Sequence, residues 1–146
     1  METIATGCDH AGFNLKETIK IHLEKLGYQI MDKGTFSTES VDYPVFAKDV
    51  AKAVASGEAK FGILVCGTGI GMEISANKIK YVRAANCTNS TMAKLCREHN
   101  DANVLCLGAR IVGEVLAIDI VEAFLKSNFL GNRHTRRVEL IKKMEE

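Results

Sequence analysis

A cysteine followed by three alternating glycines is the part of this sequence best suited to chemistry. Residues 66–71 read Cys-Gly-Thr-Gly-Ile-Gly and lie between an apolar run and a predicted helix. Glycines allow a backbone to approach a ligand closely, and free N–H groups at a helix start favour an anion. Glycines in a tight turn can serve geometry alone, but the polar Thr68 between them favours a binding loop.

This segment does not match the usual anion-binding signatures. A P-loop ends in Gly-Lys-Ser or Gly-Lys-Thr, whereas Gly71 is followed by Met72 and Glu73. A cysteine phosphatase would carry an arginine at the position of Met72. A dinucleotide-binding loop usually follows the first strand and has a further glycine. The loop is therefore expected to hold its anion for another kind of reaction.

Cys66 is the cysteine placed where a ligand is expected. A helix N-terminus favours the thiolate form of a cysteine, which is the reactive form. A thiolate beside backbone N–H groups suits attack on an acyl carbon, or removal of a proton next to a carbonyl while the N–H groups hold the enediolate oxygen. The residues alone leave both reactions open. The remaining cysteines are predicted to be packing residues: Cys8, Cys87, Cys96 and Cys106.

The basic start of the last predicted helix is a second candidate site. Residues 132–137 read Asn-Arg-His-Thr-Arg-Arg, and Asn132 is predicted to be the N-cap. Positive charge in a first turn opposes the helix dipole, and a local rule broken in this way often marks a functional site. Arg133 and Arg137 share one helix face and suit a phosphate, whereas Arg136 points elsewhere. A solvated basic face explains the segment equally well.

Histidines occur beside both ends of the predicted strands. Asp9 and His10 directly follow the first strand, where a ligand is expected, although Asp9 could simply cap the next helix. His22 lies within an amphipathic helix and is predicted to be structural. His99 precedes the fifth strand, at the edge opposite Cys66 and about one strand length, roughly 15 Å, away. If His99 is catalytic, it serves a neighbouring subunit, which predicts an obligate dimer with shared sites.

These candidates are positioned by an alternation of strands and helices. The alternation predicts an α/β fold, a three-layer Rossmann-like sandwich with a five-stranded parallel sheet and right-handed crossovers. Ligands of such sheets bind at the carboxyl ends of the strands, here residues 8–10, 66–71, 86–89 and 108–110. The predicted strands are 3–7, 28–31, 61–65, 81–85 and 104–107, and the predicted helices are 11–26, 41–56, 70 to about 78, 90–98, 113–125 and 133–144. The first helix is predicted to face the core with Leu15, Ile19, Leu23 and Leu26 and solvent with Lys16, Lys20 and Glu24.

Length and composition exclude several protein classes. The 146 residues predict a single domain over 1–146, and 19 basic against 18 acidic residues argue against a nucleic-acid partner. No apolar run is long enough to cross a membrane, and without a signal peptide the chain is expected to be cytoplasmic. Five cysteines without tight spacing fit neither a disulfide scaffold nor a zinc knuckle.

Six motifs, in order along nearly the whole chain, resemble one family, that of ribose-5-phosphate isomerase B and the galactose-6-phosphate isomerase subunits. The segments that carry the resemblance are Gly-Cys-Asp-His-Ala-Gly-Phe at 7–13, Ser-Val-Asp-Tyr-Pro at 40–44, Cys-Gly-Thr-Gly-Ile-Gly-Met at 66–72, Arg-Glu-His-Asn-Asp-Ala-Asn at 97–103, Leu-Gly-Ala-Arg at 107–110, and Arg-His-Thr-Arg-Arg at 133–137. Two positions depart from the family: Cys8 replaces a frequent serine, and Ile70 stands where members without the cysteine base carry a glutamate.

The resemblance implies an aldose–ketose isomerase that converts a sugar phosphate through an enediolate with no metal and no cofactor. It implies that Cys66 is the base, that Thr68 assists proton movement, and that His99 opens the sugar ring. It also implies a dimer or tetramer whose last helix reaches a partner subunit. The residues it assigns to substrate binding are Asp9, His10, Gly67, Thr68, Gly69, Ile70, Gly71, Asn100, Arg110, Arg133 and Arg137.

Two other functions stay open on the sequence. A six-carbon substrate such as allose or galactose 6-phosphate would need a deeper pocket, although the Asp9-His10 pair favours the ribose enzyme within this family. A non-catalytic sugar-phosphate or nucleotide-binding module would need the glycines and arginines but neither Cys66 nor His99. Interconversion of ribose 5-phosphate and ribulose 5-phosphate is the leading prediction.

Overall fold

The computed structural model describes residues 2–146, which form one parallel sheet flanked by helices. This confirms the predicted α/β architecture, and the order of elements follows the predicted alternation. The elements are β1 (Thr3–Cys8), α1 (Phe13–Lys25), β2 (Gln29–Asp32), α2 (Tyr43–Ala55), β3 (Phe61–Cys66), α3 (Ile70–Ala76), β4 (Ala84–Asn86), α4 (Ser90–Asn100), β5 (Val104–Gly108), α5 (Glu114–Lys126) and α6 (Arg133–Lys143).

The five strands lie in the order β2-β1-β3-β5-β4, with every neighbouring pair parallel. Every residue of the central strand β3 is buried, as its continuous apolar sequence predicts. Its side chains alternate between two apolar layers, so that Ile63 and Val65 contact the layer formed with α1, α4 and α5. Leu64 and Cys66 belong to the layer formed with α2 and α3. These two layers enclose the sheet, which confirms the three-layer sandwich.

The fourth strand is shorter than predicted and begins later. Residues 81–83 were expected to be extended, but Tyr81 has a φ of 75° and the strand starts at Ala84. Asn77 occupies the outer edge of this strand, because its side-chain amide bonds both to the N–H and to the C=O of Ala84. A side chain thus fills hydrogen-bonding positions that this edge strand would otherwise offer to another strand.

The first helix begins two residues later than predicted, at Phe13. The carboxylate of Asp9 accepts the N–H groups of Ala11 and Gly12 and holds them in a turn. The assignment of Lys16 to the solvent face was wrong, because its side chain is completely buried. Hydrophobic periodicity could not reveal this, since the partner of Lys16 is Asp32 on a different element.

Asn132 was expected to cap α6, and this prediction was wrong. Its backbone adopts a left-handed φ of 52°, and its side chain makes no capping hydrogen bond. The segment before α6 is held instead by the N–H of Leu130, which donates to the carbonyl of Glu98 at the end of α4. Across the described part of the chain, no helix has both the length and the apolar character needed to span a membrane.

Candidate active site

The carboxyl ends of β1, β3 and β5 bring three predicted segments together. Cys8 pairs with Val65, and Cys66 pairs with Gly108, so the three neighbouring strands end at the same edge of the sheet. Residues 9–10, 66–71 and 109–110 leave the sheet side by side. The sequence therefore predicted correctly where these residues lie relative to one another.

The glycine loop, residues 66–71, is built around the thiol of Cys66. Cys66 is the last residue of β3 and only 4% exposed, and its Sγ accepts the N–H of Gly69 at 3.2 Å. Gly69 has a φ of 81°, which turns the chain from the strand into α3. The hydroxyl oxygen of Thr68 accepts the N–H of Ile70 at 3.2 Å, which leaves the Thr68 O–H free to donate.

Several backbone N–H groups of the glycine loop are available to a ligand. Within residues 2–146, those of Gly67, Thr68 and Gly71 have no hydrogen-bond partner. The exposed Arg110 lies beside them: its N–H donates to the carbonyl of Gly67 at 2.9 Å. A Cβ on Gly67 would lie only 3.2 Å from Nη1 of Arg110. The loop thus combines free donors and a cation around one thiol, which suits an oxyanion.

Asp9 and His10 form the β1 side of this edge. Asp9 is 7% exposed, and its Oδ1 accepts two backbone N–H groups, so it serves as the cap that the sequence also allowed. His10 accepts the N–H of Val41 on Nδ1 at 3.2 Å. Because Nδ1 is an acceptor, the proton of the neutral ring lies on Nε2, where it can be donated to a ligand.

Two residues of this edge were absent from the predicted site. Tyr43, the first residue of α2, places its ring against Gly71, where a Cβ would lie 2.5 Å from the ring. Asn86 donates from Nδ2 to the carbonyl of Thr68 at 3.1 Å, and its buried Oδ1 has no partner in residues 2–146. Signals existed for both, since Asn86 begins the segment 86–89 expected at the ligand edge and Tyr43 lies in the motif at 40–44.

The second group of predicted residues lies at a corner formed by α4 and α6. We name it the α4–α6 corner and define it by the predicted residues His99, Asn100, Arg133 and Arg137 together with His134, which the sequence had not singled out. The imidazole of His99 stacks on that of His134, with ring centroids 4.3 Å apart and planes 14° apart. Asn100 and both arginines are exposed, whereas His134 is buried. Desolvation and the charges of His99, Arg133 and Arg137 lower the pKa of His134. The corner thus combines the basic start of α6, which the sequence predicted, with His99 and Asn100 of α4, which the sequence treated as a separate candidate.

The chain does not bring this corner to the glycine loop. Helix α4 ends just before β5 begins, so His99 lies at the amino edge of the sheet. Glu145 holds the end of α6 near the same edge by accepting the N–H of Tyr81, which precedes β4. The five residues of β5 separate the two edges by about 15 Å.

The remaining cysteines and His22 are structural, as predicted. All five cysteines are buried free thiols, and burial raises the pKa of Cys8 to about 11. Burial likewise raises the pKa of Cys106, and the hydrogen bond with Cys96 together with burial raises that of Cys87. His22 lies 3.0 Å from Glu122 and thereby joins α1 to α5. In the described residues, no group of three or more His, Cys, Asp or Glu side chains could hold a metal ion.

Comparison with known proteins gives full-length matches. The sequence model of the ribose/galactose isomerase family matches residues 4–141. Ribose-5-phosphate isomerase B of Escherichia coli is 51% identical over 146 residues, which cover 100% of this chain and 98% of that protein. The solved structure of ribose-5-phosphate isomerase B from Clostridium thermocellum superposes with a TM-score of 0.97 at 55% identity, covering 98% of this chain and 97% of that one. The type B enzyme of Trypanosoma brucei gives a TM-score of 0.96 at 45% identity, covering 99% of both chains.

Proposed function

This chain belongs to the ribose/galactose isomerase family, and from that premise we propose that it interconverts ribose 5-phosphate and ribulose 5-phosphate by acid–base catalysis. The full-length similarity to named ribose-5-phosphate isomerases supports the activity. One observation carries the mechanism: the Cys66 thiol is held by the N–H of Gly69 in a loop that leaves three further backbone N–H groups free within residues 2–146.

Cys66 is the residue that transfers the proton between C2 and C1 in this mechanism. Its thiolate removes the proton from C2 of the open-chain aldose, and the electron pair moves to form an enediolate. The N–H groups of Gly67, Thr68 and Gly71 stabilise the negative oxygen, and the Arg110 guanidinium adds positive charge nearby. The Thr68 hydroxyl relays a proton between O1 and O2, and Cys66 then returns its proton to C1 to give the ketose.

Substrate binding on this edge is assigned to the side chains after β1. The Nε2–H of His10 donates to a sugar oxygen, while the free carboxylate oxygen of Asp9 accepts from a hydroxyl. The Nδ1 contact with Val41 supports this role, because it fixes which nitrogen of His10 carries the proton. Tyr43 and Asn86 support the glycine loop from its two sides.

Ring opening and phosphate binding require the α4–α6 corner of a second subunit. His99 transfers the proton that opens the furanose, Asn100 contacts the sugar, and Arg133 and Arg137 bind the phosphate. The separation of the corner from Cys66 supports an exchange of corners between two copies. In a two-fold dimer each copy receives the partner's corner, so that two equal sites form. Helix α6 then provides the contact across the subunits, and a tetramer would pair two such dimers.

The mechanism also requires a reduced thiol, because an oxidised Cys66 could not accept a proton. The five cysteines are free in the structure, and a reducing compartment such as the cytoplasm keeps them so. We therefore assign the enzyme to the cytoplasm.

Replacing Cys66 with alanine tests the proposed base. Cys66→Ala should lower kcat about a thousandfold, as expected for loss of a general base, while calorimetry still detects binding of ribose 5-phosphate. Cys106→Ala is the matched control, because it removes a buried thiol of the same apolar layer from the neighbouring strand, outside residues 66–71. Turnover at the wild-type rate in Cys66→Ala would refute the mechanism. Exchange of the C2 proton with solvent, measured by NMR, would separate catalysis from simple binding.

A further inference from the structure

Lys16 is a lysine whose side chain is completely buried although it lies in an otherwise amphipathic helix. Its Nζ donates to Oδ1 of Asp32 at 2.7 Å and to the carbonyl of Thr35 at 2.8 Å. The rings of Phe13 and Phe36 lie 5.6 and 5.0 Å from the same nitrogen. A buried charge is costly unless it is paired and hydrogen-bonded, so these contacts must hold the ammonium firmly.

Asp32, the last residue of β2, is the anion of this pair. Burial would raise the pKa of Asp32, but hydrogen bonds from Lys16, from Lys20 and from the N–H of Gly34 outweigh it, and the pKa is lowered. Oδ1 accepts from Lys16 and Gly34, and Oδ2 accepts from Lys20 at 2.6 Å. The carboxylate therefore stays ionised and ties α1 to the start of the segment that follows β2.

That segment is bonded to the end of β1, where the proposed sugar contacts begin. The N–H of Cys8 donates to the carbonyl of Gly34 at 2.6 Å, and the N–H of Thr35 donates to the carbonyl of Cys8 at 2.9 Å. Cys8 immediately precedes Asp9 and His10. The Lys16 ammonium thus fixes the backbone next to both residues.

The C-terminal end of the same segment also contacts the site. Val41 donates its N–H to His10, and Tyr43 packs its ring against Gly71 of the glycine loop. Residues 33–42 therefore connect two contacts. Near one end Lys16 bonds to the carbonyl of Thr35, and near the other end Val41 bonds to Nδ1 of His10. A shift at Thr35 would be transmitted to the imidazole, whereas the backbone of the glycine loop is held separately by β3 and β5.

We propose that Lys16 and Asp32 are positioning residues for sugar recognition: their buried pair holds residues 33–42 so that His10 keeps its orientation and presents Nε2–H to the substrate. This proposal rests on the proposed function, because it assumes that His10 contacts the sugar. It predicts an effect on substrate affinity and little effect on the proton transfer at Cys66.

The decisive comparison is between Lys16→Met and Lys20→Met. Methionine resembles lysine in length but cannot donate a hydrogen bond, so Lys16→Met releases Thr35 and leaves Asp32 paired with Lys20. Lys20→Met removes the same charge from the same carboxylate and leaves the contact with Thr35 intact. We expect Lys16→Met to raise KM about tenfold with kcat within about threefold of wild type, because a charge-assisted hydrogen bond is lost away from the reacting atoms. Lys20→Met should keep both constants.

A binding measurement keeps this proposal separate from the proposed function. In a Cys66→Ala background, calorimetry with ribose 5-phosphate should give a Kd about tenfold weaker with Lys16→Met than with Lys20→Met. Lys16→Arg keeps the charge and the donors and should recover part of the affinity. Absence of isomerisation in the wild-type enzyme would refute the function, while the comparison of Kd values would still decide the positioning role.

Three results would overturn the proposal. Lys16→Met with a lower melting temperature but wild-type KM and Kd would make Lys16 purely structural. An equal loss of substrate affinity in Lys16→Met and Lys20→Met would indicate a general effect of charge. If Lys16→Met does not fold, Asp32→Asn decides the question, because it weakens the bond between Lys16 and Asp32 while both lysines remain. An unchanged KM in Asp32→Asn would contradict the positioning role.

Discussion

The glycine loop and the α4–α6 corner carry the two halves of the proposed site, and they are constructed differently. The loop offers backbone N–H groups, and its thiol, turns and carbonyls are held by hydrogen bonds within the chain. The corner offers long side chains, and Arg133 and Arg137 project from an exposed helix start. The chain's own hydrogen bonds hold the loop in place, whereas the corner presents exposed cationic side chains at the surface.

This difference accounts for the proposed division of proton transfer and phosphate binding between the two regions. Stabilising an enediolate requires donors that are already oriented, which a hydrogen-bonded backbone provides without loss of side-chain entropy. Holding a phosphate tolerates mobile guanidinium groups, because charge and several donors supply the affinity. Changes in the loop should therefore lower kcat, and changes to the two arginines of the corner should raise KM.

Among changes that leave the reacting side chains in place, the largest effect is expected from Gly69→Ala in the loop. Gly69 has a left-handed φ, and a Cβ there would collide with Oδ1 of Asn86 and press on the backbone of Leu107. The loop must shift, and we expect kcat to fall more than a hundredfold, on the order of losing an oxyanion donor. Gly113→Ala is the control, because a Cβ at Gly113 meets open space. Steady-state kinetics that left Gly69→Ala at the wild-type kcat would contradict a preorganised loop.

A smaller effect, on binding, is expected from the arginines of the corner. Arg133→Ala and Arg137→Ala should each raise KM about tenfold while kcat changes less, because each removes a charge-assisted contact with phosphate. Arg136→Ala removes the same charge from the same helix and should leave KM unchanged. A rise in KM as large for Arg136→Ala would mean that the basic segment acts only through its overall charge.

The smallest effect is a loss of stability in acid that originates in the corner. The pKa of His134 is lowered from 6.5, so the folded chain binds its proton less readily than the unfolded chain. Stability is then independent of His134 above pH 6.5 and decreases as the pH falls below 6.5 toward the folded pKa. Thermal melts between pH 8 and 5 should show a smaller acid-side fall in Tm for His134→Asn than for wild type. Thr135→Ala, a neutral neighbour, should follow wild type, and identical curves for all three would contradict the assignment.

The sequence predicted those parts of the site that are determined locally. Residues 66–71 contain within themselves the signals for a strand end, a turn and a helix start, so the glycine loop was correctly located. The positions of Asp9, His10 and Arg110 followed from the rule for parallel sheets. The exact end of β3 differed by a single residue, since Cys66 belongs to the strand.

The features that the sequence missed depend on contacts between distant segments. Lys16 was assigned to solvent because its partner Asp32 lies sixteen residues away on another element. The late start of β4 follows from the positive φ of Tyr81, and Asn77 bonds to the first residue of that strand through side-chain contacts that no periodicity encodes. Tyr43 and Asn86 reach the glycine loop only in the folded sheet. Tertiary contacts, rather than propensity, decide each of these positions.

The central claim is that each site combines the glycine loop of one subunit with the α4–α6 corner of another. Mixing Cys66→Ala with His99→Asn protein, with subunit exchange confirmed by mass spectrometry of tagged chains, tests it directly. Random pairing makes half of the dimers hybrids, each with one intact site of two, so activity should return to about a quarter of the wild-type value. Activity that stays at the level of the separate variants, despite complete exchange, would mean that each site is formed by one chain and would contradict the account.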